Sequence, residues 1–263
     1  MNHLIPALAS FIPVAQTEVA AVGIFNVFQM GGDAILQYII GMVVLFASLS
    51  VHEYAHAWVA YRLGDTTARD AGRLTINPLV HMDLMGTLFI LLGAPVGWAK
   101  PVPINPNRFD RKHSVKKGIA LVSLAGPISN LIIAFCSYLM YSLIVVIAIK
   151  SGIALQVGGG GFAVRIVEVL LLIFTLFYYR NLFLAIFNLI PVPPLDGFKV
   201  LGTALPNNIY YKLLQYERQI GMIFLFVLIF GRSGLGNLLN WMSTPFQFLI
   251  STPIDALVRL LVG

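Results

Sequence analysis

Charge is scarce in this chain: of its 263 residues only 11% are Asp, Glu, Lys or Arg, against about 25% in an ordinary soluble domain. With 58% hydrophobic residues and a mean hydropathy of +0.85, too few polar side chains remain to cover a soluble surface. That excludes a water-soluble globular protein and, equally, a disordered chain. Cysteine is nearly missing, with Cys136 alone, so no intrachain disulfide can form. The opening Met1-Asn2-His3 lacks the basic residues of a cleaved signal peptide. Acidic residues number 11 against 17 Lys and Arg, a formal charge of +6, yet nine of the 17 fall between Arg62 and Lys117 in loop-like sequence. Such clustering fits an inside-facing loop of a membrane protein better than a groove for nucleic acid, which is not expected as a partner.

What is present is long apolar runs. A membrane span takes about 20 mostly apolar residues, and the segments 34–61, 118–149 and 166–190 meet that length. Two further segments, 209–230 and 235–262, are weaker candidates, the second interrupted by Pro245 and Pro253. The segment 4–30 is weakest, because Pro6, Pro13, Gln16 and Glu18 break it. The expectation is four to six crossings, with a weak N-terminal segment (1–33), a core (34–205) and C-terminal spans (206–263).

Between the spans 34–61 and 118–149 an apolar patch at 84–96 is too short to cross, and it reads as re-entrant or surface-lying. Its flanks, 72–77 and 98–106, carry alternation and prolines and predict short strands, a membrane-associated β-hairpin. The fold class expected is therefore an all-α polytopic membrane protein with that small extended region. If the basic loop is cytoplasmic, the span 34–61 runs inward, 118–149 outward and 166–190 inward again. The end of the first of these and the segment after residue 190 then share one side of the bilayer.

His52-Glu53-Tyr54-Ala55-His56 is an H-E-x-x-H pattern inside a helical run. At i and i+4 the two imidazoles lie on one helix face and can share a Zn²⁺, while the adjacent Glu53 can take a proton from metal-activated water. With five His and four Glu in the chain, shuffling gives this pattern in roughly one sequence in a thousand. Two imidazoles and a carboxylate near the end of a membrane helix are costly unless they pair or bind something.

A catalytic zinc needs a third protein ligand. Asp196 is the best-placed candidate, because it follows the span 166–190 on the same side as His56. Pro191, Pro193 and Pro194 hold its approach extended. Taken alone, Asp196-Gly197 would be an ordinary turn. Asn130, within Gly126-Pro127-Ile128-Ser129-Asn130, is an amide in an apolar span. Its residue type fits interhelical hydrogen bonding and oxyanion stabilisation equally.

These residues together resemble the site-2 protease family of intramembrane zinc metalloproteases, in its compact prokaryotic branch without a PDZ domain. The likeness rests on the stretch HEYAHAWVAYRLGD at 52–65, GRLTINP at 72–78, GWAKPVPINP at 97–106, the Gly126-Pro127-x-x-Asn130 motif, and Asn188 through Leu195-Asp196-Gly197. Leu84 departs from the pattern, since similar proteins often carry proline there. The resemblance implies a three-helix catalytic core, formed by 34–61, 118–149 and 166–190, with flanking transmembrane helices. It implies that His52, His56 and Asp196 bind Zn²⁺, that Glu53 is the general base, and that Asn130 contacts the substrate backbone. The implied function is hydrolysis of peptide bonds in or beside transmembrane segments of membrane-protein substrates. The setting is a prokaryotic cytoplasmic membrane, with the site towards the cytoplasm. His81 and Asp83 are expected to be structural. A zinc transporter is disfavoured because the ligands cluster at one depth, and an inactive helix-binding relative because Glu53 and all three ligands are present.

Overall fold

A computed structural model describes residues 32–92, 97–110, 112, 114–153, 161–230 and 232–262. Its main elements are three long helices, α1 (Gly32–Arg62), α5 (Val115–Lys150) and α6 (Phe162–Leu189), which match the predicted spans within a few residues. Short helices α2 (Thr67–Asp70), α3 (Pro78–His81) and α4 (Leu84–Leu91) follow α1. Past α6 come α7 (Asp196–Leu201), α8 (Asn207–Gln215), α9 (Glu217–Phe230) and α10 (Arg232–Val262). Four helices are long and apolar enough to cross a membrane: α1, α5, α6 and the Leu238–Val262 part of α10. The fold is an all-α, multi-pass membrane protein. The predicted span at 209–230 is divided at Tyr216 into α8 and α9, the longer of which has 14 described residues, fewer than the about 20 of a typical span. The predicted segment 4–30 lies outside the described residues.

α5 lies between α1 and α6 and packs along both, most extensively on α6. The buried stripes explain the fit. On α1 they are Val44, Ser48, His52, His56 and Ala60, and on α5 Gly118, Val122, Gly126, Asn130 and Ala134. Both recur every four residues, and both are rich in small side chains that let membrane helices approach closely. Residues on the other faces, such as Ile39, Val43, Ile132 and Ile147, are exposed, as a lipid-facing surface requires. Pro127 sits inside α5 without ending it. α10 adds a fourth wall, with Leu239, Ile250 and Ile254 joining Ala134, Tyr178, Leu182 and Ile186 in the main apolar cluster. Asp33 and Arg165 pair at the starts of α1 and α6, so these helices run the same way and α5 runs against them, as the parity argument required.

The β-hairpin is not formed. Among the described residues there is no sheet, only an isolated antiparallel bridge between Met82 and Ala99, with the Lys100 amide donating to the His81 carbonyl at 2.8 Å. The reason lies in the 98–106 segment itself. Pro101, Pro103 and Pro106 have no N–H to offer a ladder. Two of its other amides go to side chains instead: Val102 to Glu53 at 3.0 Å and Asn105 to Asp65 at 2.6 Å. The guanidinium of Arg73 donates to the Lys100 carbonyl at 2.6 Å. The apolar patch becomes the short helix α4, capped by the Asp83 carboxylate on the Gly86 amide. It packs so closely on the following chain that a Cβ on Gly86 would lie 2.1 Å from the Trp98 carbonyl oxygen.

Candidate metal centre

The centre forms where α1, α5 and the start of α7 meet, inside the helix bundle. On α1, His52 and His56 follow one another by one turn and face α5, both buried. Their position is about 9 Å along the helix axis from the Arg62 end for His56, at 1.5 Å per residue. Asp196 begins α7 just past the end of α6 and is also buried. Gly197 makes this return possible, because a Cβ there would stand 2.2 Å from the Leu189 carbonyl oxygen. The Asp-Gly pair is thus a close contact with the end of α6 rather than a solvated turn.

His52 Nε2 lies 3.0 Å from His56 Nε2, and the two lie 3.2 and 3.1 Å from Asp196 Oδ2. Bonds of about 2.05 Å to a tetrahedral zinc would set its ligand atoms about 3.3 Å apart, so the three atoms are already near that spacing. Their proton states point the same way. His52 Nδ1 is 2.5 Å from Asn130 Oδ1, and His56 Nδ1 is 2.7 Å from the Val122 carbonyl oxygen. Both partners accept only, so each ring carries its proton on Nδ1 and turns the Nε2 lone pair towards Asp196. Two nitrogen lone pairs and a carboxylate oxygen therefore converge at one point. A single proton can link two of them, and a divalent cation satisfies all three. His52, His56 and Asp196 form the one potential metal-binding cluster of His, Cys, Asp or Glu among the described residues.

The centre also needs room. A Cβ on Gly126 would fall 2.5 Å from both His52 Cε1 and His56 Nε2. Glycine in α5 is what keeps the space beside the two nitrogens open. Nearby, Asp196 Oδ1 faces the Lys199 ammonium at 3.9 Å, while Oδ2 faces the two imidazoles.

Glu53 is one residue round the helix from His52. Its Oε2 accepts the Val102 amide at 3.0 Å, so the 98–106 segment holds the carboxylate beside the centre. Asn130 is completely buried, with its Oδ1 on His52 and its Nδ2 donating to Asn181 Oδ1 at 2.7 Å. It stands behind His52 as part of a polar chain. The sequence reasoning did not single out Asn181, Ser48 or the steric role of Gly126. The available signal was an amide, Asn181, in the middle of an apolar span. His81 is structural as expected: it is buried, and its Nε2 meets the Thr75 carbonyl at 2.7 Å. Asp83 caps α4, also as expected.

Known proteins resemble the chain in sequence over most of its length. The family model for peptidase family M50 matches residues 40–230. "Putative zinc metalloprotease YwhC" of Bacillus subtilis is 38% identical over 200 residues, covering 76% of this chain and 83% of that protein. "Putative zinc metalloprotease Rip2" of Mycolicibacterium smegmatis is 28% identical over 187 residues, 69% of this chain and 63% of its own length. "Putative zinc metalloprotease MJ0611" of Methanocaldococcus jannaschii is 27% identical over 191 residues, 72% of this chain and 82% of that one. No solved structure matches the chain. A buried cluster of potential metal ligands among helices long and apolar enough to cross a membrane, and a family match over most of the sequence, lead to one conclusion: the chain belongs to peptidase family M50, the site-2 protease family of metallopeptidases.

Proposed function

We propose that this protein is an intramembrane-cleaving zinc endopeptidase, with Glu53 as the base and with transmembrane segments of other membrane proteins as substrates. The observation that carries this reading is the convergence of His52 Nε2, His56 Nε2 and Asp196 Oδ2 within 3.2 Å of one another, on helices embedded in an apolar bundle. These three residues would hold the zinc. When bound, that ion supplies Lewis acidity, which makes water nucleophilic at neutral pH and polarises the scissile carbonyl.

The chain's own groups do the rest. Glu53 accepts a proton from water as the new C–O bond forms at the substrate carbonyl. It then delivers that proton to the amide nitrogen as the C–N bond breaks, so that a carboxylic acid and an amine result. The Val102 amide restrains Glu53 during both transfers. Helical substrate hides its carbonyls in i to i−4 hydrogen bonds, so the target must unwind before attack. The basic residues Arg62, Arg69, Arg73, Lys100, Arg108, Lys116 and Lys117 lie at the end of the bundle nearest the centre, which favours the cytoplasmic side for the site.

The test uses purified protein in liposomes with a single-span labelled substrate, and fragment masses give the cut position. Cleavage inside the span that requires zinc and disappears in Glu53→Gln is the expected result. Cleavage confined to loops outside the bilayer would overturn the intramembrane assignment.

A further inference from the structure

The residues behind His52 form a polar chain that reaches α6 and returns to α1. Asn130 Oδ1 meets His52 Nδ1 at 2.5 Å, and Asn130 Nδ2 donates to Asn181 Oδ1 at 2.7 Å. The Asn181 Nδ2 group donates twice, to the Ser48 hydroxyl and to the Phe177 carbonyl, each at 2.8 Å. The Ser48 hydroxyl spends its own proton on the Val44 carbonyl at 2.7 Å. Ser48, Asn130 and Asn181 are completely buried, so bulk water offers them no alternative partners.

The direction of this chain is not free. Carbonyl oxygens accept and never donate, so Phe177 O requires the Asn181 NH₂ on its side. Asn181 Oδ1 must then face Asn130, which turns Asn130 Oδ1 to His52 and requires a proton on His52 Nδ1. A main-chain carbonyl on α6, four residues before Asn181, therefore determines which nitrogen of His52 is free. We infer that Asn181, anchored by Phe177 O and Ser48, is a positioning residue that fixes the His52 tautomer through Asn130 and so keeps Nε2 available to a metal.

If Asn181 is removed, Asn130 can turn its amide over. Its NH₂ then faces His52 Nδ1, the ring proton moves to Nε2, and that nitrogen can no longer ligate until the proton leaves. Partners of this kind behind a metal-ligating histidine typically matter by 10–100-fold in affinity. The inference rests on the zinc-site reading above, and the experiment separates the two.

Metal-free protein is titrated with Zn²⁺ against a chromophoric chelator, for wild type, Asn130→Ala, Asn181→Ala and the double variant. Helix content is followed by circular dichroism. The expected result is tight binding by wild type and a loss of about 10–100-fold in Asn181→Ala. The double variant should bind no more weakly than Asn130→Ala alone, because Asn181 acts only through Asn130. In ¹⁵N-histidine spectra of metal-free protein, His52 should be protonated on Nδ1 in wild type and tautomerically mixed in Asn181→Ala. Should Asn181→Ala lose its helix content, Ser48→Ala, which removes one of the two anchors, is measured instead and should weaken binding by about two- to tenfold. Binding by Asn181→Ala within twofold of wild type, or losses that multiply in the double variant, would overturn the relay. Wild type that binds no zinc would overturn the metal site itself.

Discussion

Gly126→Ala isolates the role of space at the centre. The added Cβ would stand 2.5 Å from His52 Cε1 and His56 Nε2 and 2.6 Å from His52 Nε2. Non-bonded heavy atoms prefer about 3.5 Å or more, so one or both rings must move by close to an ångström. Neither ring can do so freely, because each is tied by its Nδ1 to α5, at Asn130 and at Val122. Overpacking of this kind costs about 1–3 kcal/mol. Replacing glycine by alanine within a helix returns about 1 kcal/mol. The two terms leave a net change in stability of about 0–2 kcal/mol. Function is affected far more, since a misplacement of 1 Å at a reacting centre costs about 100-fold. The expectation is a folded protein, melting within several degrees of wild type, with cleavage and zinc affinity each down by about two orders of magnitude. The measurements are thermal unfolding, chelator competition and cleavage of a labelled substrate, all on one preparation. Gly221→Ala is the control, because its Cβ would meet Pro194 at an ordinary 3.4 Å. Gly126→Ala protein with wild-type zinc affinity and turnover would refute the steric argument.

Glu53→Gln should retain stoichiometric metal by elemental analysis and lose cleavage by at least about 100-fold, since an amide cannot accept the proton. Asp196→Ala should leave two ligands and sharply lower metal occupancy after dialysis, and full occupancy would remove Asp196 from the ligand set. Stripping zinc from wild type should lower the melting temperature, which falls with the logarithm of free metal because the ion binds the folded centre only; a scan unaffected by chelator would contradict this. Asp65→Asn should destabilise by about 1–3 kcal/mol in denaturant titration. Asp65 is fully buried and accepts from the Thr67 amide and hydroxyl and from the Asn105 amide, which an asparagine cannot all satisfy. The same variant should slow cleavage, because the 98–106 segment holds Glu53 through Val102.

Much of the architecture was legible because it is local. A run of apolar residues long enough to cross a bilayer has few alternatives to a helix, since lipid cannot satisfy its backbone. Two histidines four apart on such a helix share a face whatever surrounds them. Chain parity placed Asp196 on the correct side, and the structure brought its carboxylate within 3.2 Å of both rings. The hairpin expected at 72–77 and 98–106 failed for a reason that pattern does not carry. Side chains of Glu53 and Asp65, from elsewhere in the chain, and of Arg73, within the 72–77 flank itself, took hydrogen bonds that a ladder would have used.

The amino-acid order alone thus set the long apolar helices and put His52 and His56 on one helix face, because periodicity and length act within one segment. Packing decided what lies behind them. Asn130 and His52 are 78 residues apart, Asn181 and Asn130 are 51 apart, and Asn181 and Ser48 are 133 apart. No spacing rule links such positions. They meet because small residues repeating every fourth position draw three helices close enough for amides to touch, and in that buried contact each donor must find the acceptor that the fold provides.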